Sequence, residues 1–236
     1  MRKMRILRVI NDLTLFEKIL WAVSVTVITV SSLLSGGADI MSVAASLIGV
    51  TALIFLARGH YLGQILSIAF AVLYGIVSIK CRYYGEAVTY LCMTAPSAAI
   101  ALIEWLKHPY KKSEEVEIAS VSKKQIFIML PLALIITVVF YFILKALGNA
   151  SLYISTLSIT TSFVASYFAA CRSEYYALAY SFNDVVLIAL WIIASVNDIS
   201  LLPMVACFVM FLVNDIYGFF SWKRMKRMQR GKGAIL

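Results

Sequence analysis

The chain has 236 residues, of which 62% are hydrophobic and only 14% charged, with a formal net charge of +9. A water-soluble domain carries about 25% charged residues, because one core of this size must still be clothed in polar surface. The composition excludes that class, and the placement of the positive charge argues against nucleic acid as a partner. Arg2, Lys3, Arg5 and Arg8 open the chain, while Lys223, Arg224, Lys226, Arg227, Arg230 and Lys232 follow its last apolar block. Basic residues beside membrane spans hold cytoplasmic ends in the cytoplasm and favour anionic headgroups.

Apolar blocks of about 20 residues match the thickness of a bilayer. Taken in chain order, they predict spans near 15–35, 40–57, 61–80, 86–106, 125–146, 151–171, 174–195 and 199–222. Helices are expected throughout, since they satisfy their backbone internally. The first block follows a basic segment but no short apolar core with a small-residue cleavage site, so it predicts a first helix and no cleaved signal peptide. Gly36-Gly37, Arg58-Gly59-His60, Arg82-Tyr83-Tyr84-Gly85 and Gly148-Asn149 punctuate the connections. The only long connection, 107–124, is rich in Lys and Glu. Eight spans place both termini on one side, and the Lys/Arg bias predicts that side to be the cytoplasm. Ser113 and Ile235 are then inside and Asn149 outside.

The two halves repeat. Tyr74 and Trp105 are spaced like Trp191 and Trp222, and one offset of 117 overlays spans two to four on six to eight. Two three-helix units joined by a linking helix run parallel, as in transporters built from parallel repeats. The predicted division is a basic N-terminus with the first helix (1–39), a first repeat (40–106), a loop and linking helix (107–150), a second repeat (151–222) and a basic tail (223–236).

In the third span, Tyr74 suits a cavity wall or a core position equally. Glu86 opens the fourth span, where a charge is cheap, so a solvated end is expected over a vestibule role. Thr89, Tyr90 and Met93 follow on as further cavity candidates. Pro96 lies mid-helix, where it frees a carbonyl and permits a kink. Glu104 with Lys107 suits a boundary pair, and His60 a solvated turn.

Span seven carries most of the polar signal. Tyr180, Asp184, Leu187 and Trp191 share one helical face, and Asp184 lies roughly 15 Å deep at 1.5 Å per residue. A carboxylate there costs at least about 2.5–3.5 kcal/mol, so it must face a cavity, a partner or a proton. Asn183 beside it is a second candidate. Asn214-Asp215 in span eight suits either a substrate or gate contact, or a carboxylate reaching Lys223 or Arg224. Gly218 is expected to allow close helix packing, and Trp222 to anchor at the interface.

Enzyme signatures are absent: no H-E-x-x-H, G-x-S-x-G or P-loop occurs. Cys81, Cys92, Cys171 and Cys207 lack C-x-x-C spacing and suit small core residues. Neither a metal nor a cofactor is implied. The Asn149-Ala150-Ser151 sequon matters only in a secretory-pathway host.

From about Gly49 to Lys223, the ordered set Leu73-Tyr74, Tyr84-Gly85-Glu86, Pro96, Trp105, Asn183-Asp184, Trp191, Tyr217-Gly218 and Trp222-Lys223 resembles the PnuC family of nicotinamide riboside transporters. The resemblance implies an all-α membrane fold similar to the full-length SWEET transporters, three-plus-one-plus-three, with an extra first helix matching 15–35. It also implies a homotrimer, facilitated diffusion and a cytoplasmic kinase that traps the product. The substrate site would use Tyr74, Tyr180, Asn183, Asp184, Trp191, Asn214 and Asp215, with Glu86, Tyr90 and Met93 beside them. The family's W-x-x-W falls here on Ala177 and Tyr180, which leaves thiamine, riboflavin and deoxynucleosides open as substrates, and proton coupling through Asp184 open as a mode. A membrane enzyme acting on a lipid and a structural subunit are the readings from other classes.

Overall fold

A computed structural model describes residues 13–35, 40–80, 84–149 and 151–231. Arg2, Lys3, Arg5, Arg8, the Gly36-Gly37 turn, Cys81, Arg82, Tyr83, Ala150, Lys232 and Ile235 lie outside the described residues. Eight long helices are present among those described: α1 (Leu15–Leu34), α2 (Ile40–Ala57), α3 (Leu62–Lys80), α4 (Tyr84–Lys107), α5 (Lys123–Ala146), α6 (Leu152–Ala170), α7 (Tyr176–Asn197) and α8 (Leu202–Gly231). All eight contain a segment long and apolar enough to cross a membrane. They agree with the predicted spans, except that α8 runs on well past Trp222.

Local chemistry sets the helix starts. Thr14 and Ser122 build capping boxes with Glu17 and Gln125 that satisfy the first free amides of α1 and α5. Pro96 acts differently from expectation. The helix accommodates it with a π-helical turn at Tyr90–Thr94 rather than a simple kink, as widened turns often do near functional sites. Gly75 of α3 faces this turn, and a Cβ there would meet Leu91 at 2.6 Å.

The core is formed by α2, α3 and α4 against α6, α7 and α8. The two sets meet where α8 packs on α2 and where α6 packs on α4. α5 packs on α6 and leaves most of its surface, Phe127 and Leu134 included, uncovered by the rest of the chain. α1 is held by polar stitches: Trp21 Nε1 donates to Thr51 (3.1 Å), Asn214 Nδ2 to Ser24 (3.0 Å), and the Tyr217 hydroxyl to Glu17 (3.0 Å). In an apolar solvent such bonds supply specificity that burial of apolar area alone cannot.

One end of the bundle carries a strap, residues 108–120. Val116 N donates to Gly59 O (2.9 Å) in the α2–α3 turn, and Ala119 N to Arg172 O (3.0 Å) in the α6–α7 turn. Gly59 and Arg172 both have positive φ, 66° and 57°, so the two turns have the same shape. The α8 extension latches the strap: Gln229 accepts from Ile118 N (2.9 Å) and donates to Val116 O (3.1 Å), and Arg230 donates to Ser120 (2.6 Å). His60 is 4% exposed and contacts Glu114 at 2.9 Å. Its expected solvation is corrected because the strap covers the turn. Glu104 and Lys107 do form the expected exposed pair (3.1 Å).

Candidate functional site

Between the two helix sets lies a cavity of about 70 Å³. Of the residues singled out in the sequence, it brings together Tyr180, Asn183, Asp184, Asp215 and Tyr90. Asp184 and Asp215 reach each other from adjacent helices, carboxyl to carboxyl. Both line the cavity, and Asp184 Oδ2 is left without a hydrogen bond. The expected reach of Asp215 toward Lys223 does not occur; Lys223 lies over the Phe219 ring instead.

Neighbouring hydroxyls orient the remaining groups. Thr161 donates to Asn183 Oδ1 (2.8 Å), and Tyr180 shares a hydrogen bond with Ser166 (2.9 Å). Sequence reasoning missed Gln64, Ser67, Phe70, Thr94, Ser162, Phe208 and Phe211, which also line the cavity. Lone Ser, Thr and Gln residues in apolar spans carry no spacing signal. Gly49 shapes the wall: a Cβ there would meet Phe211 at 2.4 Å.

Aromatic layers close the cavity on both sides. Away from the strap, Tyr74 packs on Tyr90 (ring centroids 4.3 Å), Trp191 (6.4 Å) and Phe208 (6.1 Å). Tyr74 and Trp191 therefore cover the cavity rather than line it. Toward the strap, Trp105 and Trp222 lie 5.3 Å apart, with Tyr176 4.6 Å from Trp222. Trp105 Nε1 donates to Ala169 O and Trp222 Nε1 to Leu56 O, both at 2.8 Å. Each half thus clamps the other through the same bond. Trp222 is wholly buried, which corrects its expected interfacial position: α8 extends further and carries the ring inward. The sequence offset is also corrected in part. The tryptophans are 117 positions apart, but their carbonyl partners, Leu56 and Ala169, are 113 apart.

Three candidates lie elsewhere. Asn214 faces α1 through Ser24. Met93 packs with Leu144 and Ile159. Glu86, expected to be solvated, is 2% exposed and lines a separate pocket of about 270 Å³ between α4, α6, α7 and the α5–α6 turn. Ala177, at the first of the two positions aligned with W-x-x-W, is fully buried and faces Gly218, where an added Cβ would lie 3.4 Å from Ala177 Cβ. That agrees with close packing at Gly218. Cys92 is exposed on the bundle surface rather than in the core, while Cys207 is buried.

Eight helices long and apolar enough to span a membrane, in two reciprocally clamped sets around a polar cavity, together with a family match, make this a multi-pass membrane transporter. The chain belongs to the nicotinamide mononucleotide transporter family, whose pattern matches residues 39–224. It is 25% identical over 194 residues to the nicotinamide riboside transporter PnuC of Neisseria mucosa, covering 80% of this chain and 73% of that one. Its fold matches the crystal structure of the vitamin B3 transporter PnuC with a TM-score of 0.78 at 20% identity, covering 92% of this chain and 94% of that one.

Proposed function

We propose that the protein carries nicotinamide riboside, or a closely related nucleoside-like vitamin precursor, across a bacterial inner membrane through the cavity at Asp184 and Asp215. The observation that supports this most is the composition of that cavity. Two carboxyls, two amides and several hydroxyls stand among Tyr90, Phe70, Phe208 and Phe211. Carboxyls and amides suit ribose hydroxyls, while aromatic faces attract a pyridinium ring by about 0.5–2 kcal/mol each. Tyr180 supplies the remaining ring of the W-x-x-W pair.

Ligand pockets are typically about 300–1,000 Å³, so the central cavity must widen when substrate enters. The two repeats, 40–106 and 151–222, are the units that would move against each other. The strap end is assigned to the cytoplasm, because Arg58, Lys107, Lys111, Arg172 and the basic end of α8 gather there. The resemblance to the PnuC family extends the reading to a homotrimer, facilitated diffusion, and a cytoplasmic kinase that phosphorylates the arriving nucleoside.

The test is uptake by proteoliposomes of nicotinamide riboside, thiamine, riboflavin and deoxynucleosides, with and without a pH gradient. Saturable nicotinamide riboside uptake independent of the gradient is expected. Uptake that collapses without the gradient would replace facilitated diffusion with proton coupling, and binding of none of the four ligands would overturn the transport reading.

A further inference from the structure

The pocket at the end remote from the strap is larger than the central cavity and has a different chemistry. Its lining is Tyr84, Gly85 and Glu86 from α4, Leu190 and Ala194 from α7, Ser155 from α6, and residues 147–149 and 151 from the α5–α6 connection. Glu86 is 2% exposed, and neither of its oxygens has a hydrogen-bond partner. The one polar side chain within reach of it is Ser155, whose hydroxyl accepts from Asn149 Nδ2 at 2.9 Å and keeps its own proton for Glu86, a neutral donor that brings no counter-charge. Gly85 lets the connection close over this space, since a Cβ there would meet Asn149 Oδ1 at 2.5 Å and Leu144 at 2.8 Å.

A buried carboxylate without a charged partner is costly unless a counter-charge joins it. Among the described residues, no three His, Cys, Asp or Glu side chains gather to hold a metal ion. One carboxylate facing Leu190, Ala194 and the half-exposed Tyr84 ring suits a diffuse organic cation better than a hydrated inorganic one. Glu86 also lies within electrostatic reach of Tyr74 and Tyr90, the rings that cover the central cavity. Leu190, one wall of the pocket, also packs in the cluster that holds Tyr74, Tyr90 and Trp191, so the pocket borders the seal that a substrate must pass.

We infer that the Glu86 pocket is a second subsite that receives organic monocations, the cationic ring of the substrate among them, before the Tyr74–Tyr90 layer admits them to the central cavity. The inference rests on the proposed substrate and orientation for its role in uptake, but the affinity for cations does not.

Two experiments on the full chain separate these parts. In a background without the native cysteines, Ser151→Cys places a thiol on the pocket wall. Its labelling by a trimethylammonium methanethiosulfonate should exceed that by a neutral one at least about tenfold, relative to free thiol, from charge attraction in a low-dielectric pocket. Glu86→Gln should abolish the preference. A ratio unchanged by Glu86→Gln overturns the subsite. In uptake assays, Glu86→Gln should raise KM for nicotinamide riboside about tenfold and leave its uncharged dihydro form unaltered. Equal changes for both forms would make Glu86 merely structural and also overturn the subsite. If the wild-type protein transports neither form, the substrate reading falls, and the labelling ratio still decides the cation site.

Discussion

The two ends of the bundle are closed by different means. At the strap end, closure is layered: three rings pack at steep angles, two of them are tied to backbone carbonyls of the opposite repeat, and a strap spans both turns under a latch from α8. At the other end, closure is a single layer of side chains around Tyr74, with the Glu86 pocket beside it under the α5–α6 turn. Rings held by backbone bonds move only if helices move, whereas a ring held by other rings can turn in place. The far end is thus the side that needs the least rearrangement to open, and under the proposed function it is the side from which substrate would enter. The strap end needs the repeats to part.

The largest expected effect tests that contrast directly. Trp222→Ala or Trp105→Ala removes a buried ring and its bond across the repeats, at a cost of about 3–5 kcal/mol, while the carbonyls keep the turn amides of Gly59 and Arg172. Thermal unfolding in detergent should show a large fall in Tm for each. Tyr74→Ala removes a ring with no backbone anchor and should cost the low end of that range, about 3 kcal/mol. Equal losses at both ends would break the comparison.

A smaller effect concerns the latch. Gln229→Ala leaves Ile118 N and Val116 O without their side-chain partner, at a cost of about 1–3 kcal/mol. Hydrogen exchange at the Ile118 amide should quicken while exchange within α3 and α7 stays slow, since only the strap opens locally. Faster exchange throughout would mean that the strap holds the whole bundle rather than one gate.

The smallest effect lies in the α7–α8 turn. Asp198 is held below the ordinary carboxylate range by Ser200, which donates from its hydroxyl (2.6 Å) and its amide (3.0 Å). A lowered pKa means that the contribution is present above the ordinary Asp value and is lost as pH falls through the folded value. Acidification should therefore free the Ser200 amide to exchange without a shift in Tm, because the group is fully exposed. The strap-end bonds from Gln229 involve no carboxylate and should not respond in the same pH range.

Much of this architecture was legible in the sequence, because lipid as solvent forces long apolar blocks and confines charge to their ends. Span number, the buried Asp184 and the tight Gly218 contact all follow from that rule. Trp222 and His60 were not legible as buried, since their burial depends on α8 overshooting its apolar block and on a polar loop folding back over the turns. Glu86 defied the expectation for a span edge for a related reason: the α5–α6 turn covers it through Asn149. Gln64, Ser67 and Ser162 line the cavity because helices from distant parts of the chain converge there, and periodicity within one helix cannot show that.

The central claim is that substrate binds where Asp184 meets Asp215. Asp184→Ala and Asp184→Asn should be compared with wild type by ligand titration and thermal unfolding on the same preparations. Losing a charge-assisted bond of about 1.5–3 kcal/mol weakens nicotinamide riboside binding roughly ten- to a hundredfold in Asp184→Ala. Asp184→Asn, which keeps an acceptor and can donate to Asp215, should lose less, and both proteins should stay folded. A well-folded Asp184→Ala protein with unchanged affinity would contradict the account, and a lowered Tm with unchanged affinity would make the pair a packing device instead.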